Sequence, residues 1–161
     1  MAGYEHMVRL VTRGLALVGF AGLLLLAIMQ TANILTRFLF SWPLQGVNDV
    51  SAVVMAVVVA CCIPECLATR LNIRIDVLGQ MFGTRANAVL NAFASLVTLA
   101  VFALIFWKFI PYAAASTASG ERTWVLGWPV GPWWWAATAA FLASVLAQAM
   151  VVVADLRAIA R

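Results

Sequence analysis

The feature that most constrains this chain is a set of four long apolar runs separated by short polar segments. They cover about residues 14–37, 49–68, 86–110 and 133–155. At about 1.5 Å per residue, some 20 apolar residues cross the roughly 30 Å hydrocarbon core of a bilayer. We therefore predict an all-α integral membrane protein with four transmembrane helices, forming a single membrane domain over residues 1–161.

The composition excludes an ordinary soluble domain. Soluble proteins carry about 25% charged residues, whereas this chain has 10% charged and 65% hydrophobic residues. Its net charge of +4 does not require a nucleic acid, because membrane proteins collect Lys and Arg in their cytoplasmic loops. We expect the lipid bilayer as the surroundings and no nucleic-acid partner.

Polar side chains occur at the ends of the first two runs. Gln30, Asn33 and Arg37 recur at spacings of three and four, which places them on one helix face. Polar groups at that depth face protein or headgroups rather than lipid. Asp49 opens the second run, where a carboxylate suits the positive end of the helix dipole. Glu65 lies near the end of that run and is predicted to be interfacial.

Charge gathers between the second and third runs, at residues 70–85. On a helical wheel one face carries Leu71, Ile75, Leu78 and Phe82. This pattern predicts a short amphipathic segment in the membrane interface, although the alternation from Leu71 to Val77 also permits an extended piece. Arg74 falls among the apolar residues, so its guanidinium must reach the interface or pair with a carboxylate such as Asp76 or Glu65.

The segment after the third run, residues 111–132, is predicted to be a loop. Pro111 comes directly after that run, and five of the seven tryptophans lie between Trp124 and Trp135. Because tryptophan prefers the headgroup level, we expect this loop to lie along the membrane surface and re-enter.

Two patterns of side chains predict helix packing. The third run carries Asn87, Asn91, Ser95 and Thr98 at helical spacing. The fourth carries Ala136, Ala140, Ser144 and Ala147, with Ala139 and Ala143 adjacent. Hydrogen bonds between side chains and close approach at small residues both join membrane helices, so each stripe is expected to face another helix.

The distribution of Lys and Arg predicts the orientation. One side would hold seven of them, Arg9, Arg13, Arg70, Arg74, Arg85, Arg157 and Arg161, and the other three, Arg37, Lys108 and Arg122. The more positive side is cytoplasmic. Both termini and the 70–85 segment are therefore predicted in the cytoplasm, with the 111–132 loop outside.

The sequence offers little for chemistry. We predict no catalytic, cofactor or metal site, and the protein is not expected to be an enzyme. Cys61, Cys62 and Cys66 have no metal-binding spacing, and we expect them to pack as small apolar residues. Two alternatives stay open: a membrane redox protein that uses Cys62 and Cys66, and a self-contained proton-coupled transporter that uses Glu65.

Several local motifs together resemble a known family. They are Asn33-Ile-Leu-Thr-Arg37-Phe-Leu-Phe40, Trp42-Pro43, Asn48-Asp49, Arg70-Leu-Asn-Ile-Arg-Ile-Asp76-Val-Leu and Gly127-Trp-Pro129. In their order and in the spacing of the spans, the chain resembles the small permease subunit of a tripartite ATP-independent periplasmic (TRAP) transporter. Asn72 stands where a histidine is usual in that family.

The resemblance implies a small subunit that is a fixed scaffold in a heterodimer. Its partner would be a large permease subunit that carries the substrate and sodium sites in the bacterial inner membrane. A periplasmic binding protein would deliver an organic acid, such as a dicarboxylate, a keto acid or a sialic acid. Under this interpretation Arg70, Arg74 and Asp76 belong to a docking and anchoring element.

Overall fold

The computed structural model describes residues 2–41, 45–69 and 84–159, and nearly all of them lie in α-helices. The helices are α1 (Ala2–Phe40), α2 (Val47–Ala68), α3 (Thr84–Ala118) and α4 (Gly131–Ile159). All four are long and apolar enough to cross a membrane. The prediction of an all-α protein with four membrane-spanning helices is confirmed. The amphipathic segment predicted at 70–85 lies outside the described residues, except that 84 and 85 begin α3.

The helices pack in an order that differs from their order in the chain. Within the described ranges, α1 packs against α2, α2 against α4, and α4 against α3, whereas α1 touches α4 only slightly. The backbones of α2 and α3 do not approach each other in the described part of the chain. α4 is therefore the central helix, with α2 and α3 as its two main neighbours.

Small residues allow α4 to have two neighbours. Its most buried positions are Ala137, Ala140, Ser144 and Ala147, each exposed by 2% or less. Ala60 and Cys61 of α2 pack into the same core. The small-residue prediction is correct for 140, 144 and 147, but Ala136 and Ala139 are exposed, because the close-packed row passes through Ala137 instead.

Glycine brings α1 against α2. A Cβ atom placed on Gly19 would lie 2.6 Å from Cys62 Sγ and 3.1 Å from the Val58 carbonyl oxygen. One placed on Gly22 would lie 2.5 Å from Val58 Cγ2. These distances leave no room for a side chain, so both glycines permit the close contact between the two helices.

α1 begins earlier than the apolar run of 14–37 indicates. It starts at Ala2 and has 39 residues, a length of about 58 Å. Val8, Thr12 and Ala16 continue its buried face, with Thr12 fully buried. The apolar run marked only the part suited to lipid, whereas packing against the rest of the protein extends the helix further.

α3 continues past Pro111, which corrects the predicted start of the loop. Ala113 and Ser116 are buried beyond the proline, and membrane helices tolerate an internal proline when neighbouring groups satisfy the freed backbone. The helix ends at Ala118, followed by Gly120 with a φ of +63°, a conformation that glycine adopts at helix ends. The connection to α4 is thus shorter than 111–132.

Candidate partner-contact and orientation residues

The predicted polar face of α1 is anchored on α2. Gln30 Nε2 donates a 3.0 Å hydrogen bond to Ser51 Oγ, on the first turns of α2. Asn33, one turn further, is half-buried, and Arg37 is exposed in the last turn. The structure therefore gives Gln30 a helix-pairing role and places Arg37 at the end of the bundle where α1 ends and α2 begins. We call this end the rim.

Asp49 has a more specific role than a favourable dipole contact. Its Oδ2 atom accepts hydrogen bonds from two backbone N–H groups of the α3–α4 loop, from Val125 at 2.6 Å and from Leu126 at 3.1 Å. A charged acceptor strengthens such bonds. Beside it, Gly46 has a φ of +87°, and a Cβ there would collide with the side chain of Leu126. Hydrogen bonds and packing therefore connect the start of α2 to a loop that is distant in the sequence.

Hydrogen bonds within residues 116–128 also stabilise the loop. Thr123 N–H donates to the Trp128 carbonyl oxygen at 2.9 Å, and Gly127 N–H donates to the Thr123 carbonyl oxygen at 3.1 Å. Ser116 Oγ donates to Glu121 Oε2, and Arg122 Nη1 donates to the Gly127 carbonyl oxygen. This network keeps residues 121–128 in one arrangement between the end of α3 and the start of α4.

Glu65 lies at the opposite end of α2. Its side chain is half-buried, and its carbonyl oxygen accepts bonds from the Thr69 N–H at 2.9 Å and the Thr69 hydroxyl at 2.6 Å. These bonds close the last turn of the helix. The structure thus gives the Glu65 backbone a part in ending α2, and a contact of its carboxylate with a partner stays a prediction.

Two of the three cysteines, Cys61 and Cys62, line contacts between helices. Cys61 is buried between α2 and α4, Cys62 faces Gly19 of α1, and Cys66 is exposed. All three thiols are free. Cys61 and Cys62 fit the expectation of small packing residues.

Three predicted contact residues, Arg70, Arg74 and Asp76, lie outside the described residues. Their roles in docking and anchoring remain predictions from the sequence.

A buried polar cluster between α3 and α4 was not predicted from the sequence. Ser95 Oγ donates to Asp155 Oδ2, and Gln148 Nε2 donates to the Ser95 carbonyl oxygen at 3.0 Å. All three residues are buried. Ser95 belongs to the polar stripe that was predicted to face another helix, and here that prediction is confirmed. The sequence gives no signal that singles out Asp155, because a carboxylate two residues before Arg157 is typical of the polar end of a membrane helix.

An apolar groove of about 490 Å³ opens between α2 and α3. It is lined by Leu23, Val59, Cys62, Ile63, Cys66, Leu67, Thr98 and Phe102. Thr98 contributes here instead of pairing with another helix, because its hydroxyl donates to the Ala94 carbonyl oxygen of its own helix.

Comparison with known families decides the class of this protein. Residues 25–158 match the family described as tripartite ATP-independent periplasmic transporters, DctQ component. The chain belongs to this family. DctQ proteins are the small component of TRAP transporters, which the sequence resemblance predicted. No curated protein and no solved structure gave a significant match.

The DctQ match covers most of the architecture. It begins within α1 and runs almost to the end of α4, and all eight predicted contact or orientation residues fall within it. Gly19 and Gly22 precede the matched range. DctQ is a component of a transporter and not a family of enzymes. The four helices and the family together make this a multi-pass membrane protein.

Proposed function

We propose that this chain is the small scaffold subunit of a TRAP-type secondary transporter in the bacterial inner membrane. The observation that carries the proposal is the DctQ match over residues 25–158. It is supported by the fold, because every helix is long enough to span the membrane and the helices are fastened to each other by specific contacts. Gln30 with Ser51 joins α1 to α2, and Ser95 with Asp155 joins α3 to α4.

The proposed partner is a large permease subunit, with which this chain forms a heterodimer. That subunit imports an organic acid of the dicarboxylate, keto acid or sialic acid class, driven by an ion gradient, with sodium as the proposed ion. A periplasmic binding protein delivers the substrate. These assignments follow from the sequence resemblance and are consistent with a tripartite system.

The surface of the bundle is suited to a membrane partner. Along α3, apolar side chains point away from α4 over many turns, among them Phe93, Leu96, Val101 and Leu104. The groove between α2 and α3 adds a concave apolar surface. In the proposed assembly the large subunit covers part of this surface and lipid covers the rest, while the fastened helices keep the scaffold fixed during transport.

Co-expression with candidate large subunits tests the proposal. A stable complex should purify in detergent, and uptake in proteoliposomes should require both subunits, the binding protein and a sodium gradient. Full uptake by this chain alone would contradict the scaffold role. If Glu65→Gln abolished that uptake, the result would support a self-contained transporter instead.

A further inference from the structure

Trp124 is almost completely exposed although it belongs to an ordered part of the structure. Its exposed fraction is 99%, and those of its neighbours Val125 and Trp128 are 60% and 46%. A large aromatic side chain gains nothing for the fold in such a position, since it buries no surface there. The loop of residues 121–128, here called the Trp124 loop, therefore presents exposed aromatic side chains at the rim.

Hydrogen bonds of the residues on both sides of Trp124 restrain the backbone that carries it. Thr123 pairs with Trp128 through the backbone bond and through a 3.0 Å bond from the Trp128 N–H to the Thr123 hydroxyl. On the other side, Asp49 binds the N–H groups of Val125 and Leu126. These bonds fix the backbone on both sides of Trp124.

Arg122 is the group of the loop that is suited to the phosphate of a lipid headgroup. The Glu121 carboxylate accepts from Ser116 and the Asp49 carboxylate accepts from two N–H groups, so both acids are engaged within the protein. Arg122 is exposed and uses Nη1 for a weak 3.3 Å bond to the Gly127 carbonyl oxygen. Its guanidinium retains further donors, which fit phosphate oxygens.

The depth of the loop corresponds to the headgroup region. Its tie to Asp49 sets it beside the first turn of α2, whose apolar span begins at Val47, and the α4 span begins three residues after the loop, at Gly131. Phe38 and Phe40 at the end of α1 are also exposed at the rim, by 85% and 75%. Tryptophan rings at the ends of spans lie among lipid headgroups.

We propose that the Trp124 loop is a membrane-surface anchor, in which the Trp124 indole inserts among phospholipid headgroups at the rim and Arg122 faces their phosphates. The anchor would fix the depth of the rim in the bilayer. Because Asp49 connects the loop to α2, it would hold α2 and the α3–α4 connection at the same depth. This inference rests on the loop geometry and not on the proposed transport function.

A fluorescent probe at position 125 tests the anchor. In the full chain with Cys61, Cys62 and Cys66 replaced by Ala, Val125→Cys is labelled with nitrobenzoxadiazole. The exposed Val125 side chain can be replaced while its N–H still binds Asp49. The protein is reconstituted in phosphatidylglycerol and phosphatidylethanolamine vesicles that carry a nitroxide either on the headgroup or in the middle of the acyl chain.

We expect the headgroup nitroxide to quench the label at least about twofold more than the mid-chain nitroxide, as headgroup depth requires. Met55→Cys is the matched control, because it is an exposed apolar position of α2 that lies two turns deeper, and the preference should be reversed there. Trp124→Ser should weaken headgroup quenching at 125, and Trp124→Phe should preserve it.

Two results would overturn the anchor. The first is a label at 125 that only aqueous iodide quenches, which would place the loop in water. The second is headgroup quenching that disappears when the chain is assembled with its large subunit, which would show that the loop is covered by protein in the working complex. If the cysteine replacements unfold the chain, native Trp fluorescence with brominated headgroup lipids, compared between the wild-type protein and Trp124→Phe, measures the same contact.

Discussion

The carboxylate of Asp49 lies 2.6 Å from the backbone nitrogen of Val125, which follows it by 76 residues. The same oxygen also accepts from Leu126. A single side chain at the start of α2 thereby determines where the loop between α3 and α4 rests. This connection at the rim is therefore made between the start of a helix and a loop.

Replacement of Asp49 should loosen the loop. We expect Asp49→Ala to lower the free energy of unfolding by about 1–2 kcal/mol, because two charge-assisted hydrogen bonds are lost at a partly exposed site. Trypsin should also cleave faster after Arg122. Asp49→Asn keeps an acceptor oxygen and should lie between the wild-type protein and Asp49→Ala. Equal cleavage rates for all three would show that the contact does not hold the loop.

The buried pair of Ser95 and Asp155 should be energetically coupled. Ser95→Ala removes one hydrogen-bond partner of a buried carboxylate. We expect it to lower the free energy of unfolding by about 1 kcal/mol, measured by thermal unfolding in detergent. Thr98→Ala is the matched control, because that hydroxyl bonds only within its own helix and its removal should have a smaller effect. In a double-mutant cycle the combination of Ser95→Ala and Asp155→Ala should be less harmful than the sum of the two. Strict additivity would contradict the pairing.

Glycine positions on α1 offer a test of helix packing. Gly19→Leu would push a side chain into Cys62 and Val58, and we expect it to destabilise the protein by about 1–3 kcal/mol or to separate α1 from α2. Gly14→Leu is the control, because a Cβ there meets nothing within 4 Å. Thermal unfolding of both variants in the same detergent measures the difference. Similar melting temperatures would show that α1 is not held close to α2 at Gly19.

The charge distribution predicts that both termini are cytoplasmic. A green fluorescent protein fused after Arg161 should fluoresce, and alkaline phosphatase fused after Gly120 should be active, because the two reporters function on opposite sides of the inner membrane. The reverse pattern would invert the topology and would place Arg9 and Arg13 outside, contrary to the positive-inside tendency.

Arg74 should matter for assembly with the large subunit. If its guanidinium pairs with Asp76, Glu65 or a partner carboxylate, Arg74→Ala should reduce the amount of complex recovered in detergent much more than Arg161→Ala does. Both variants remove one positive charge from the same side of the predicted topology. Equal recovery would reject a specific role for Arg74.

The number and character of the helices followed from the sequence because they depend on local properties. In lipid, an apolar run of the right length must satisfy its backbone hydrogen bonds internally by forming a helix. Each of the four runs forms a helix long enough to cross a membrane. The family could also be predicted, because the residues of each motif, such as Asn33 to Phe40, are near one another in the sequence. The ends of the helices were less accurate, because Val8 and Ala113 extend helices by packing, which hydropathy does not report.

The sequence alone determined that this is a four-helix membrane protein of the TRAP small-subunit type. Only the tertiary structure decided that α4 lies between α2 and α3, that the Asp49 carboxylate accepts a hydrogen bond from the Val125 N–H, and that Asp155 is buried against Ser95. The physical reason is that such pairs join residues 60 or more positions apart. Each requires two distant parts of the chain to be placed side by side, and the pattern within one helix shows which face is small or polar without showing which neighbour that face meets.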